Sequence, residues 1–203
     1  GQAQAGTTVA NVTLSPLPAG VAARLGDNRL RHHGWHKNVG FSADDSVMVS
    51  SSESSLRFWD AHTGEFQREV PFGTNYSTNA IRMRMTPDRE RIAVLVHEVD
   101  RGAGSVSCAI RFWDTAGREL DTQLKWPQGV NGSPRRFTFT PDTRFVFVGD
   151  AIGYVTIREV ASGDTLLRYR IADFGITGLA ISPDGRLVAI ASESNSLFLW
   201  DWQ

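Results

Sequence analysis

Cysteine is all but missing from this chain of 203 residues, where Cys108 stands alone. That excludes an internal disulfide framework and a cysteine-based zinc site. It suits a reducing compartment and is equally compatible with an exported protein held by its core. Long apolar runs are missing too. None approaches the roughly 20 residues a helix needs to cross a bilayer, so no membrane insertion is expected. Nor is one charge in excess. Lys and Arg number 21 against 22 Asp and Glu, a formal net charge of -1, which leaves no global basic field to recruit nucleic acid or an anionic membrane. Helical periodicity is confined to a weak pattern over residues 17–25. No G-x-S-x-G elbow, H-E-x-x-H pair or phosphate loop occurs, so the common catalytic frames have no foothold.

What the chain does have is turn formers between short apolar strands. It carries 19 Gly and 8 Pro, with 41 % hydrophobic and 21 % charged residues, a globular balance that supports a sizeable core. The string 55-SLRFWDAHTGE-65 returns as 109-AIRFWDTAGRE-119, and aligning on it exposes four copies of one unit. Each begins with a strand running into a turn: 39-VGFSADDS-46, 83-MRMTPDRE-90, 137-FTFTPDTR-144 and 179-LAISPDGR-186. Pro87, Pro141 and Pro183 preset φ in those turns, the following Asp can bond the backbone beyond it, and Gly185 suits a positive φ. A second apolar strand follows (47-VMVS-50, 91-RIAVLV-96, 145-FVFVGD-150, 187-LVAIAS-192). A third comes next (55-SLRFWD-60, 109-AIRFWD-114, 154-YVTIRE-159, 196-SLFLWD-201), and a polar fourth such as 164-DTLLRYR-170 comes after that. The reference positions Phe41, Met85, Phe139 and Ile181 lie 44, 54 and 42 residues apart, close to the ~40–45 of a four-stranded propeller blade. An insertion at 97-HEVDRGAGSVS-107 accounts for the long second step. Inner strands apolar on both faces and a polar rim strand are what stacking blade on blade requires. The predicted fold class is all-β, a β-propeller of four-stranded antiparallel blades.

These units resemble those of WD-repeat β-propeller proteins, particularly the bacterial type with S-P-D-G turns and an R-x-W-D third strand. The resemblance runs from about Arg29 to Gln203. It divides the chain into a lead-in over residues 1–25 and a propeller domain over 26–203, with repeats at about 34–70, 80–124, 135–170 and 176–203. It further implies a structural network in the first unit, made by Trp59, Ser50, Glu53 and His32. Four units sit at the low end of the ~4–8 blades of propellers. The segment 28-NRLRHH-33 reads as an orphan fourth strand, which could close a ring against the last unit. A larger ring completed by further sequence or by a second chain is the alternative. The opening GQAQAG has the small-residue look of a signal-peptidase product but no h-region precedes it, so cytoplasmic and exported locations both stay open.

Chemistry is thin. His32, His33 and His36 form the one metal-like spacing, without a neighbouring carboxylate or Cys ligand, so no metal and no cofactor is expected. The first strands are read as offering Phe, Val, Met, Leu and Ile to a central channel. The basic pairs Arg82/Arg84 and Arg135-Arg136 look local, with no aromatic-basic stripe for nucleic acid. Cys108 reads as a small buried hydrophobe. What remains is surface, since long irregular loops on a rigid scaffold are where binding sits. Trp35, Phe72, Tyr76, His97, Arg101, Trp126, Arg135, Arg136 and Phe174 are the candidate contact residues, because Trp, Tyr and Arg anchor interfaces best. The function expected is a non-catalytic module for a protein or peptide partner. Self-association through the terminal strands is the alternative, and a propeller enzyme is the weakest reading.

Overall fold

The computed structural model describes residues 38–73, 78–100, 105–126 and 132–203. Among them every regular element is a β-strand. The first sheet holds β1 (Asn38–Phe41), β2 (Val47–Ser51), β3 (Ser55–Asp60) and β4 (Phe66–Pro71). The second holds β5 (Thr78–Met85), β6 (Arg91–Asp100), β7 (Ser105–Asp114) and β8 (Glu119–Trp126). The third holds β9 (Pro134–Phe139), β10 (Phe145–Asp150), β11 (Tyr154–Glu159) and β12 (Thr165–Arg170). The fourth holds β13 (Ile176–Ile181), β14 (Leu187–Ser192) and β15 (Leu197–Asp201). Within each sheet consecutive strands pair antiparallel in chain order. Packing between sheets runs β1 on β5, β5 on β9 and β9 on β13, so the first strand of each sheet is innermost. The fold is a β-propeller, and its described blades form an arc that does not close into a ring. The proposed closing strand at residues 28–33 lies outside the described residues.

Three interblade cores explain the strand composition. Val49, Leu56 and Phe58 of the first blade meet Met83, Val94 and Trp113 of the second. Leu95, Ile110 and Phe112 on the far side of the second meet Phe137, Val146 and Val148 of the third. Phe147, Val155 and Ile157 meet Leu179, Val188 and Ile190 of the fourth. Alternate residues of one strand thus serve two different interfaces, and strands such as AVLV of β6 and FVFV of β10 must be apolar on both faces. Third-strand tryptophans look back at the preceding blade: Trp113 meets Phe72 edge-on at 5.5 Å and Trp200 meets Phe147 at 6.4 Å. The outermost strand β12 is exposed along its length.

One sequence expectation needs correcting here, and another is borne out and extended. The segment 97–107, expected as an insertion loop, is largely strand: β6 and β7 extend past their counterparts in the other blades, pairing His97 with Cys108, Glu98 with Ser107 and Asp100 with Ser105. Extending the ladder satisfies backbone groups that a loop would leave to solvent. The positive φ expected of Gly185 recurs at the matching position of every blade, where Asp45, Arg89 and Thr143 also adopt it, near +56° to +60°. What holds these turns is a hydroxyl two residues before the Asp. Ser42, Thr140 and Ser182 donate to Asp44, Asp142 and Asp184 at 2.6, 2.6 and 2.5 Å, and each carboxylate accepts the N–H two residues on. Those bonds hold the three carboxyl groups below the usual range, Asp44 at about 2. Every such Asp is committed to its own turn.

Candidate binding face

The strand directions put all four short Asp turns at one end of the arc. The connections entering first strands and the tighter ones joining second to third strands gather at the other. The candidate contact residues that are described separate into two groups there. Phe72 is 2 % exposed and packs on Trp113, so its ring fills the first interblade core and offers no surface to a partner. Trp126 is half-buried against the second core, with the Arg158 guanidinium 4.7 Å above its ring. Arg158 is itself fixed by a bond to the Lys125 carbonyl at 2.9 Å. His97 is partly buried, its Nε2 3.1 Å from Ser133 Oγ, and burial lowers its pKa below the ordinary imidazole value. Cys108, behind it, is buried with Sγ 3.8 Å from the same hydroxyl. Arg135 is exposed and pairs with Glu193 at 2.6 Å. Phe174 projects from the face, 58 % exposed. Trp35, Tyr76 and Arg101 lie outside the described residues, as does His32. Of the implied network, Trp59 Nε1–H donates to Ser50 Oγ at 2.9 Å inside the protein. Glu53 stands in the turn between β2 and β3, its carbonyl accepting the Ala80 N–H from the next blade.

Phe174 stands on a platform built by backbone. Buried Asp150 accepts the N–H groups of Ile152 and Tyr154 at 3.0 and 2.9 Å, which shapes the turn between β10 and β11. Gly153 in that turn has φ +91°, and its carbonyl takes the N–H of both Ile171 and Ala172. A Cβ at Gly153 would lie 2.0 Å from the Ala172 carbonyl oxygen, so the turn and the 171–175 loop touch backbone to backbone. On the far side Glu193 N–H donates to the Gly175 carbonyl at 2.9 Å. The loop is pinned at both ends while its one aromatic ring faces outward. Beside it runs an open groove of about 400 Å³ lined by Phe174, Phe198, Ser194, Ser196, Arg170 and Asp173. Its lining mixes apolar groups (Ile171, Phe174 and Phe198) with charged and hydroxyl groups, a combination able to take an apolar side chain and hold its flanking backbone. Arg170 and the Gly153 contact escaped sequence reading, because only the paired backbone brings them to Phe174.

The central strands also depart from expectation. They are not purely apolar, because Arg82 and Arg84 lie on β5 beside Leu95 and Ala93. A bulge between Ala80 and Arg82 shifts the alternation there, and no sequence pattern marks it. Among the described residues no three His, Cys, Asp or Glu side chains are grouped as a metal site.

Comparison with known proteins follows the same lines. The family model "WD domain, G-beta repeat" matches residues 165–201, the span from β12 through β15. The mouse serine-threonine kinase receptor-associated protein is 25 % identical over 170 residues, covering 83 % of this chain and 43 % of its own length. The Protein LST8 homolog of Drosophila melanogaster is 23 % identical over 150 residues, covering 73 % of this chain and 44 % of its own. The chain thus spans less than half the length of these curated relatives. Among solved structures, Kuenenia stuttgartiensis hydrazine synthase superposes with a TM-score of 0.67 at 17 % identity, over 80 % of this chain and 57 % of that one. At that identity the likeness is one of fold.

Proposed function

We propose, from the match of residues 165–201 to the WD-domain family model and the likeness to relatives of a family whose members typically serve as protein-interaction scaffolds, that the chain is a non-catalytic scaffold that docks a peptide segment of a protein partner on its loop-bearing face. The observation that carries this reading is the Phe174 platform: a large exposed ring on a backbone-clamped loop, beside a groove lined by apolar, charged and hydroxyl groups. An anchor already held in place loses little freedom on binding, which is what lets a few residues dominate an interface. Trp126 at the end of β8 in the second blade and Arg135 at the start of β9 in the third stand at the same end of the arc and extend the contact area. The test is selection from a displayed random-peptide library on the immobilised chain. Enriched peptides should lose capture on Phe174→Ser and keep it on Leu166→Ser, which alters the outer rim. Peptides that bind both variants alike, or no enrichment at all, defeat the proposal.

A second reading, assembly, is favoured by the outer faces of the arc. Leu197 and Leu199 on β15 are 77 % and 71 % exposed, and Val39 and Phe41 on β1 are exposed as well. These are the positions that meet a neighbouring blade elsewhere in the arc. Sedimentation across a concentration series tests whether another copy covers them: a mass that rises and is reset by Leu199→Glu supports assembly, and an unchanging monomer rejects it.

A further inference from the structure

The β5 bulge sends Arg82 and Arg84 off the side of the second blade that faces the third, as their pairing with Leu95 and Ala93 of that interface requires. Arg136 lies on β9, the inner strand of the third blade, which packs against β5. Burial, and then each other's charge, lowers the pKa of all three: Arg84 acts on Arg82, Arg136 on Arg84, and Arg82 with Arg135 on Arg136. Among the described residues no carboxylate pairs with any of the three, although the charge of Glu193 partly offsets the effect on Arg136. Among the described residues neither Arg82 nor Arg84 has a hydrogen-bond or ion-pair partner, and Arg82 Nε is buried without an acceptor. Arg136 donates only to neutral carbonyls, Thr177 at 2.7 Å and Arg135 at 2.9 Å. The nearest acid, Glu193, is taken by Arg135. Three guanidinium groups are therefore gathered, Arg82 and Arg136 partly buried and none of them ion-paired among the described residues, in a chain whose formal net charge is -1.

Such a gathering is costly as it stands, because like charges repel and a buried donor without an acceptor forfeits its water. A ligand that supplies acceptors and negative charge removes both costs at once. Guanidinium forks match the oxygen spacing of tetrahedral oxyanions and bind them bidentately. A singly charged carboxylate would leave most of the positive charge unanswered. We propose that Arg82, Arg84 and Arg136 form a binding site, at the inner edge between the second and third blades, for a compact, multiply charged oxyanion of the phosphate class. The site lies on inner strands and does not depend on the docking face described above.

The test is calorimetric titration of the full chain with inorganic pyrophosphate in chloride buffer at fixed ionic strength, with sodium acetate as the control titrant. Wild type should bind pyrophosphate saturably with one site and show no saturation with acetate. Arg82→Gln and Arg84→Gln should each bind at least about tenfold more weakly, as loss of a charged hydrogen-bond donor entails. Arg118→Gln, which alters an exposed arginine remote from the inner strands, should bind as wild type. Melting without ligand reports folding separately: Arg82→Gln should melt at or above the wild-type temperature, since it relieves repulsion. Absence of saturable binding to wild type, or equal binding by all three variants, overturns the proposal. So does a lowered melting point of Arg82→Gln without ligand, because that would mean the cluster serves the fold.

Discussion

Removing the Phe137 ring asks the most of the interblade account. Phe137 on β9 is 0 % exposed, sits among Leu95, Ile110, Phe112 and Leu124 of the second blade, and meets Phe139 edge-on at 5.7 Å and 83°. Phe137→Ala removes the transfer energy of the ring and leaves a cavity that neighbouring strands, tied into their own ladders, can only partly fill. The expected cost is about 3–5 kcal/mol, of which about 0.5–1.5 kcal/mol belongs to the aromatic pair. At about 2–4 °C per kcal/mol for a chain of this size, the melting temperature should fall by about 6–20 °C. Because each blade touches only its neighbours, the damage is confined to one interface, and the two halves of the arc should begin to unfold separately. Urea titration followed by tryptophan fluorescence, with calorimetry alongside, measures both effects. The reference variant is Leu166→Ala on exposed β12, for which about 0.5 kcal/mol or less is expected. A Phe137→Ala protein that loses no more than Leu166→Ala would refute stacking as the source of stability.

Two further outcomes follow from the turns. Gly153→Ala forces a Cβ against the Ala172 carbonyl in a left-handed backbone conformation, so it should cost at least about 2 kcal/mol in urea stability and abolish peptide capture, whereas Gly163→Ala, which also has positive φ but meets only ordinary contacts at 3.6 Å, should leave capture intact. Acid should weaken the fold in a defined window. Hydroxyl donors hold Asp44, Asp142 and Asp184 below their unfolded value of about 3.9, so the folded state resists their protonation; their support is complete above pH ~4 and is lost as pH falls toward 2. Urea midpoints taken between pH 6 and pH 2 should be level at first and then drop, with Asp142→Asn showing a shallower drop, and a midpoint indifferent to acid would contradict the role given to these turns.

The repeat was legible because one physical demand, covering both faces of every inner strand, imprints the same apolar string each time. The turns were legible through their Pro and Asp, though the hydroxyl partner that Ser42, Thr140 and Ser182 supply carries as much of the geometry. The site was read less well. Phe72 and Phe174 are both loop phenylalanines next to small residues, and nothing local says that one closes a core while the other faces water; the difference lies in whether Trp113 of the next blade is there to receive the ring. The strand extension around His97 was hidden by its polar composition. Arg82 and Arg84 looked like an ordinary alternating strand, and it took the bulge to turn them toward Arg136. Chemistry that depends on register between blades has no signature in any single repeat.

Amide chemical-shift mapping with a selected peptide tests the central claim, that the loop-bearing end of the arc is the docking surface. Perturbations should concentrate at residues 132–136, 171–175 and 193–196, with the Asp turns at 42–46, 86–91 and 140–145 unmoved. Shifts centred on those turns, or spread along the outer strand β12, would contradict that claim.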